Sequence, residues 1–378
     1  MDALTLLSGD AQTFLDKVWA SRIHVHQADP DALVQLLSLD DVDRLLTESG
    51  LRTPALRVVK DGSICPAASF TRSATIAGAP LTGLVDARKA LAMYDDGATL
   101  VLQGLHRYWA PLTTLVRRLE LALGHPCQAN AYLTPPGSQG FARHSDSHDV
   151  FVFQTHGHKQ WEIVEDEQER EVLLEPGLVM YLPTGTPHSA RSQHEASLHV
   201  TLGLNRLTWR DLLQQQLSTL LAGEEYDAPL PAGYLTDPGR LARALPERVA
   251  GIEEAIRALD PGAVVADLSD SFLTDRSPAL GGGLRDRALL AGLDDETPLV
   301  RRATSACVLR AGTAADDRLH VLLGDRELRM PARLAEPMAF VRDHPRLVAG
   351  DLAPWLDLQS RLVLCRRLVR EGLLRIAR

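Results

Sequence analysis

The stretch Phe141-Ala142-Arg143-His144-Ser145-Asp146-Ser147-His148 sets an imidazole and a carboxylate two positions apart. In an extended strand, residues i and i+2 share a face, so His144 and Asp146 can reach one metal ion together. Alone, the HxD pattern is a weak signal, because a chain this rich in histidine and acids meets it by chance about once. A solvated pair on an edge strand is the competing reading. The second element is Glu175-Pro176-Gly177, the apolar run 178–182, then Pro183-Thr184-Gly185-Thr186-Pro187-His188. A Pro-Gly turn feeds a strand, Pro-x-Gly reverses it, and His188 opens the next strand beside the HxD pair. Two neutral nitrogens and one carboxylate leave three positions of an octahedral ion open, as in the facial triad of non-haem Fe(II) oxygenases. Structural zinc, usually tetrahedral and closed, suits the set less well.

A third feature names a companion for the metal. In Gly157-His158-Lys159-Gln160-Trp161-Glu162-Ile163, alternation puts Lys159, Trp161 and Ile163 on one face. Lys159, one of four lysines in the chain, therefore falls on the apolar side. A cation there is costly unless it meets an anion, and the expected anion is a carboxylate of a metal-bound cosubstrate. A lysine snorkelling from the barrel rim is the alternative. His199 shares a face with Ser197 and Thr201 and is a candidate to line the same pocket. Asn130, Tyr132 and Thr134 share another strand face, where an amide and a phenol could orient carboxylate oxygens; a satisfied core tyrosine is the plainer account. His156 and His158 flank a turn and are expected to be exposed.

These side chains need a scaffold of short strands. From about residue 127 the apolar period becomes two, with strands at 128–134, 149–154, 159–164, 171–174, 178–182 and 197–203 separated by Gly/Pro turns. That spacing predicts a jelly roll or cupin barrel rather than a βαβ fold. Upstream, helices open at Asp10 and Asp40, strands follow at 56–60 and 98–102, and residues 111–123 have helical spacing. Downstream of Asn205 the pattern is helical, with Pro246 expected to break or kink one helix. Gly281-Gly282-Gly283 forms a joint, and the remainder alternates two strand-like runs with two helices, the outline of a winged helix. We thus expect an α+β chain in three parts: 1–205, a catalytic cupin domain; 206–280, helical; and 281–378, winged-helix-like.

A chain of 378 residues suits two or three domains at roughly 150 residues each. No apolar run could span a membrane, the opening residues lack a secretory signal, and four scattered cysteines make no CxxC pair, so a cytoplasmic location is expected. The formal net charge is −9, yet residues 301–378 carry fifteen Arg against nine acids, which concentrates negative charge in the main body. That body would attract basic partners and repel nucleic acid.

In combination, Asn130-Ala131-Tyr132-Leu133-Thr134-Pro135-Pro136-Gly137-Ser138-Gln139-Gly140-Phe141, His144-x-Asp146, Asp149-Val150-Phe151, Gln154, Gly157-x-Lys159-x-Trp161 and Pro183-x-Gly185-x-x-His188 resemble the JmjC-type cupin-like ribosomal oxygenases. The resemblance covers about residues 10–205 and is densest over 128–204. It implies a double-stranded β-helix barrel with Fe(II) at His144, Asp146 and His188, and Lys159 on the distal carboxylate of 2-oxoglutarate, with O2 as the other reactant. It further implies a homodimer formed through 206–275, a C-terminal winged helix that is not a conventional DNA reader, and hydroxylation of Arg or His in a ribosomal protein. Some bacterial relatives carry Arg where Lys159 stands here, which leaves the substrate residue open. Three other readings remain: a tailoring hydroxylase of a peptide natural product, a lysine demethylase, and a ligand-sensing DNA-binding regulator.

Overall fold

The alternation of apolar and polar residues after position 127 is realised as two facing antiparallel sheets. The structure, a computed structural model, describes residues 2–312 and 316–377. Its contacts divide the chain into two units, Met1–Arg206 and Leu207–Arg378. The strands of the first unit are β1 (His24–Gln27), β2 (Leu56–Lys60), β3 (Ser63–Ile64), β4 (Thr71–Ile76), β5 (Ala79–Val85), β6 (Thr99–Leu102), β7 (Cys127–Thr134), β8 (Asp149–His156), β9 (Lys159–Glu165), β10 (Gln168–Leu174), β11 (Leu178–Leu182), β12 (His188–Ser192) and β13 (Ser197–Leu204). The larger sheet runs β1-β11-β8-β13-β7-β6-β2-β3 and the smaller β10-β9-β12, while β4 and β5 form a separate hairpin.

Each face of the larger sheet has its own core. One face buries Ala129, Ala131, Leu133, Phe151, Phe153, Val200 and Leu202 against N-terminal helices and against the helix Ala110–Leu123, which contributes Leu112, Leu115, Val116 and Leu119. The other face sets Val150, Val152, Met180 and Leu182 against Trp161, Ile163, Val172 and Leu174 of the smaller sheet. This is the cupin-like double-stranded β-helix, and the strands expected from periodicity all form, with ends within three residues of those expected. The expected helices also form: Ala11–Lys17 is capped by Asp10, and Leu39–Thr47 opens on a capping box between Ser38 and Asp41.

Several elements escaped the periodicity, β1 and the β4–β5 hairpin among them. β1 is a four-residue strand, His-Val-His-Gln, too short and too polar to carry a pattern, and it is specified by its pairing with β11. The β4–β5 hairpin is largely exposed on both faces, so no alternation marks it.

In the second unit, helices run over Trp209–Leu220, Gly239–Arg257 and Pro261–Phe272. Contrary to expectation, helix continues through Pro246. Pro246 lies two turns from the N-terminus, so the missing N–H forfeits one bond, to the Ala242 carbonyl, and the rest of the helix propagates beyond it. The strand-like runs each resolve into two strands, Leu299–Arg301 with Val308–Ala311 and Arg318–Leu322 with Glu327–Pro331, in two three-stranded sheets. Helices Ala335–Asp343 and Leu358–Arg370 bury Met338, Val341, Leu364, Cys365, Leu368 and Val369 in a core of their own.

Candidate metal centre and its cavity

The turn chemistry that brings the three candidate ligands together is local. Asp149 is fully buried at the head of β8, where its carboxylate accepts from the Thr184 backbone N–H at 2.8 Å, the Thr184 hydroxyl at 2.6 Å and the Tyr181 hydroxyl. Arg206 pairs with it at 3.2 Å. A buried carboxylate with that many donors is satisfied, and it clamps the Pro183–Thr186 turn that delivers His188. His188 and His144 then exchange backbone hydrogen bonds of 2.8 and 3.0 Å, which locks the irregular segment carrying HxD onto the start of β12.

The side chains converge from there. One ligand atom from each of His144, Asp146 and His188 lies within 4.8 Å of the others. The Asp146 carboxylate is 3.9 Å from His144 Nε2 and 3.8 Å from His188 Nε2. His144 Nδ1 donates to the Ala142 carbonyl at 2.9 Å and His188 Nδ1 to the Thr186 carbonyl at 3.0 Å. Because a carbonyl can only accept, both protons sit on Nδ1, and both Nε2 lone pairs are free to face a metal. Burial holds His188 below the ordinary imidazole value, with the neighbouring His144 acting in the same direction, which favours the neutral ligand form. His188 is buried whereas His144 is exposed, so the centre opens on one side.

The triad sits on the wall of a cavity of about 210 Å³ between the two sheets. Register explains the lining. β9 and β12 pair Ile163 with His188, Trp161 with Ala190 and Lys159 with Ser192, all on the inner face. Gly157, at φ 63°, makes the turn into β9; a Cβ there would lie 1.9 Å from the Ala196 carbonyl oxygen, so the turn that delivers Lys159 requires glycine.

Lys159 is 3% exposed, its Nζ donates to Thr134 Oγ1 at 2.9 Å, and burial lowers its ammonium to about 7. Thr134 also accepts from the Thr99 hydroxyl at 3.1 Å. Tyr132 and His199 stack in parallel, with ring centroids 4.8 Å apart, and His199 meets Trp161 edge to face at 5.6 Å. Burial pushes the Tyr132 phenol up to about 12 and holds His199 well below the usual imidazole range. Thr201 completes this wall. Asn130 shares the strand face of Tyr132 but is not part of the lining: its Oδ1 accepts from the Gly104 backbone N–H at 2.9 Å and so serves a turn rather than the cavity.

Sequence reasoning missed Arg57, Thr99 and Phe141, which also line the cavity. Arg57 carried a faint signal, a cation inside the apolar strand 56–60, but nothing in the sequence joined that strand to the metal motifs. His158 is on the surface, paired with Glu195.

The polar inventory of the floor fits a small dicarboxylate. Among the described residues, Lys159 has a single protein partner, and Trp161 Nε1 and His199 Nδ1 are buried with no hydrogen-bond partner. Orphaned buried polar atoms are rare in finished structures, and three groups converging on one cavity mark the place of a polar ligand.

Comparison with known proteins agrees with this geometry. Residues 111–212 match the family model described as the JmjC domain. Ribosomal oxygenase 1 of Rattus norvegicus is 28% identical over 350 residues, covering 75% of this chain and 58% of that protein. The bifunctional lysine-specific demethylase and histidyl-hydroxylase NO66 of Branchiostoma floridae is 35% identical over 149 residues, covering 38% of this chain and 24% of its own length. The chain therefore spans less than two thirds of either relative. Among solved structures, the Escherichia coli ribosomal oxygenase YcfD aligns over 97% of this chain and 98% of its own, with a TM-score of 0.56 and 19% identity, which establishes a shared fold. YcfD in complex with cobalt and 2-oxoglutarate aligns with a TM-score of 0.54 at 18% identity, over 96% and 97% of the two chains.

Proposed function

We propose that the JmjC cupin-like fold described above serves as an Fe(II)- and 2-oxoglutarate-dependent oxygenase that hydroxylates a side chain of a protein, with a ribosomal protein as target. The observation that carries this reading is the pairing of an open His144–Asp146–His188 face with a buried, nearly unpartnered Lys159 in one cavity. His144, Asp146 and His188 would hold iron through two Nε2 atoms and a carboxylate, leaving positions for a keto acid and O2. Lys159 Nζ would take the distal carboxylate of 2-oxoglutarate, with Thr134 steering the ammonium, and Tyr132, His199 and Thr201 walling the site. Bound iron and cosubstrate supply the oxidising power; the protein contributes position, charge and exclusion of water. Trp161, Val150, Val152 and Ala190 provide the apolar walls that keep water from the floor.

Support for the substrate class comes from the names of the relatives and from charge. A basic protein would be drawn to the acidic first 300 residues. We further propose that 206–280 is a dimerisation segment: Trp209, Leu213, Leu217, Leu245, Val249 and Ile256 of its helices are exposed in the single chain. We also read 281–378 as a winged-helix-like domain, and propose a cytoplasmic protein; among the described residues no helix is long and apolar enough to cross a membrane.

The test is direct. Purified protein supplied with Fe(II), O2 and 2-oxoglutarate should bind the cosubstrate and form succinate in the presence of a target. Intact-mass comparison of ribosomal proteins from cells with and without the gene should reveal one protein lacking one oxygen in the mutant. An extra methyl group retained in the mutant instead would redirect the reading to demethylation, and protein that never binds 2-oxoglutarate would refute it.

A further inference from the structure

We propose that Arg57 is a specificity-determining residue of this cavity: its guanidinium receives a hydrogen-bond acceptor on the target side chain and turns away side chains that are positively charged. The inference rests on the hydroxylase reading above and narrows its substrate class to an uncharged or anionic residue.

Arg57 leaves β2 between the buried Leu56 and Val58 and enters the cavity that holds the triad. Its Cζ lies 5.6 Å from the centroid of the Phe141 ring, and that ring lies 5.5 Å from the His144 ring. A cation–π contact thus holds the guanidinium one aromatic ring away from the metal ligands. Its Nε is buried without a hydrogen-bond partner, and among the described residues no carboxylate forms an ion pair with it. The two cations of the cavity have different situations. Lys159 lies on the floor against Thr134, where the distal carboxylate of the cosubstrate would occupy it. Arg57 keeps a planar fork of donors and has no assigned acceptor.

Charge decides what the remaining space can accept. Among the described residues, Asp146 is the only acid lining the cavity, and it belongs to the triad. A divalent ion and a dianionic cosubstrate cancel each other, and Asp146 cancels Lys159, so Arg57 is left as an uncompensated positive charge. An incoming arginine or lysine would bring a second cation beside it with no free carboxylate between them, which is the element that rejects a wrong partner. An imidazole, a carboxamide or a carboxylate presents lone pairs that the guanidinium N–H groups can meet. Selection therefore operates on two length scales. The acidic body favours a basic protein at long range, and Arg57 favours a non-cationic residue within it.

The experiment uses the full chain with Fe(II) and 2-oxoglutarate on five peptide pools with the same degenerate flanks and a central Arg, Lys, His, Asn or Asp. Oxygen gained by the central residue is read by mass spectrometry, and 2-oxoglutarate affinity is measured in parallel by calorimetry on Mn(II)-loaded protein. We expect the His, Asn or Asp pools to exceed the Arg and Lys pools by at least about tenfold in wild type. Arg57→Gln and Arg57→Met should collapse that ratio to about threefold or less, with 2-oxoglutarate affinity held within about twofold, which also reports that the variants are folded. Preference for Arg or Lys in wild type, or an unchanged preference in both variants, would overturn the inference. So would a large loss of 2-oxoglutarate affinity in the variants, since the guanidinium would then serve the cosubstrate. Wild type that binds 2-oxoglutarate but oxidises none of the pools would overturn the assignment of Arg57 to a peptide side chain. Wild type that does not bind 2-oxoglutarate would instead overturn the hydroxylase reading itself.

Discussion

Replacing Lys159 with Met should make the empty protein more stable while removing its capacity to bind 2-oxoglutarate. Burial lowers the Lys159 ammonium from 10.5 to about 7. At about 1.36 kcal/mol per pKa unit, the charged form costs about 5 kcal/mol relative to the unfolded chain. The sign follows from proton counts. Between about pH 7 and 10.5 the unfolded chain binds the proton and the folded chain does not, so wild-type stability rises with pH across that window. Below about pH 7 the full cost is present. Methionine fills a similar volume without the charge, so the gap in its favour should be about 3–5 kcal/mol at pH 6 and about 2 kcal/mol at pH 9. For a unit of this size that corresponds to roughly 2–4 °C in Tm per kcal/mol. Thermal melts of both proteins without ligand, at pH 6 and pH 9, measure the gap, and calorimetry measures cosubstrate affinity. In wild type, binding of the dianion should be accompanied by proton uptake and should weaken about tenfold per pH unit above pH 8. Parallel stability curves, or a Lys159→Met protein that keeps its affinity for 2-oxoglutarate, would refute the argument.

Other expectations can be checked with the same preparations. His188→Ala should weaken Co(II) or Fe(II) retention by more than about 100-fold, beyond the loss seen for outer-sphere changes, and leave the melting cooperative. Lys159→Met should spare metal binding, so the two variants separate metal from cosubstrate. Asp149→Asn should cost about 1–3 kcal/mol by weakening the charge-assisted bonds from Arg206 and Thr184, and should lower metal affinity because the Thr184 turn positions His188; equilibrium denaturation and metal titration report both. Trp161→Phe removes a buried orphan N–H, so the empty protein should lose no more stability than the smaller ring dictates, while 2-oxoglutarate affinity should fall measurably by calorimetry.

Much of the site was legible because its signals are local. The Pro183-x-Gly185 reversal before His188 and the alternation that turns Lys159 inward depend on backbone geometry over a few residues, and the structure shows both; His144 and Asp146 do converge, but from an irregular segment held by the His144–His188 bridge rather than from the strand their spacing suggests. Asn130 shows the limit of that logic. Alternation placed it on the correct face, but only the course of the chain shows that the Gly104 N–H reaches its amide first.

What the sequence determined by itself is the barrel, the three candidate metal-binding side chains and the inward lysine, because period and turn chemistry are properties of short segments. What the tertiary structure decided is the company they keep. Arg57 reaches the cavity because β2 pairs with β6, β6 with β7, and β7 with β13, and no periodicity within any one of those strands specifies a neighbour drawn from so far along the chain. The choice of neighbouring strands is made by the summed burial of both faces of the larger sheet, a quantity that exists only once the sheet has closed.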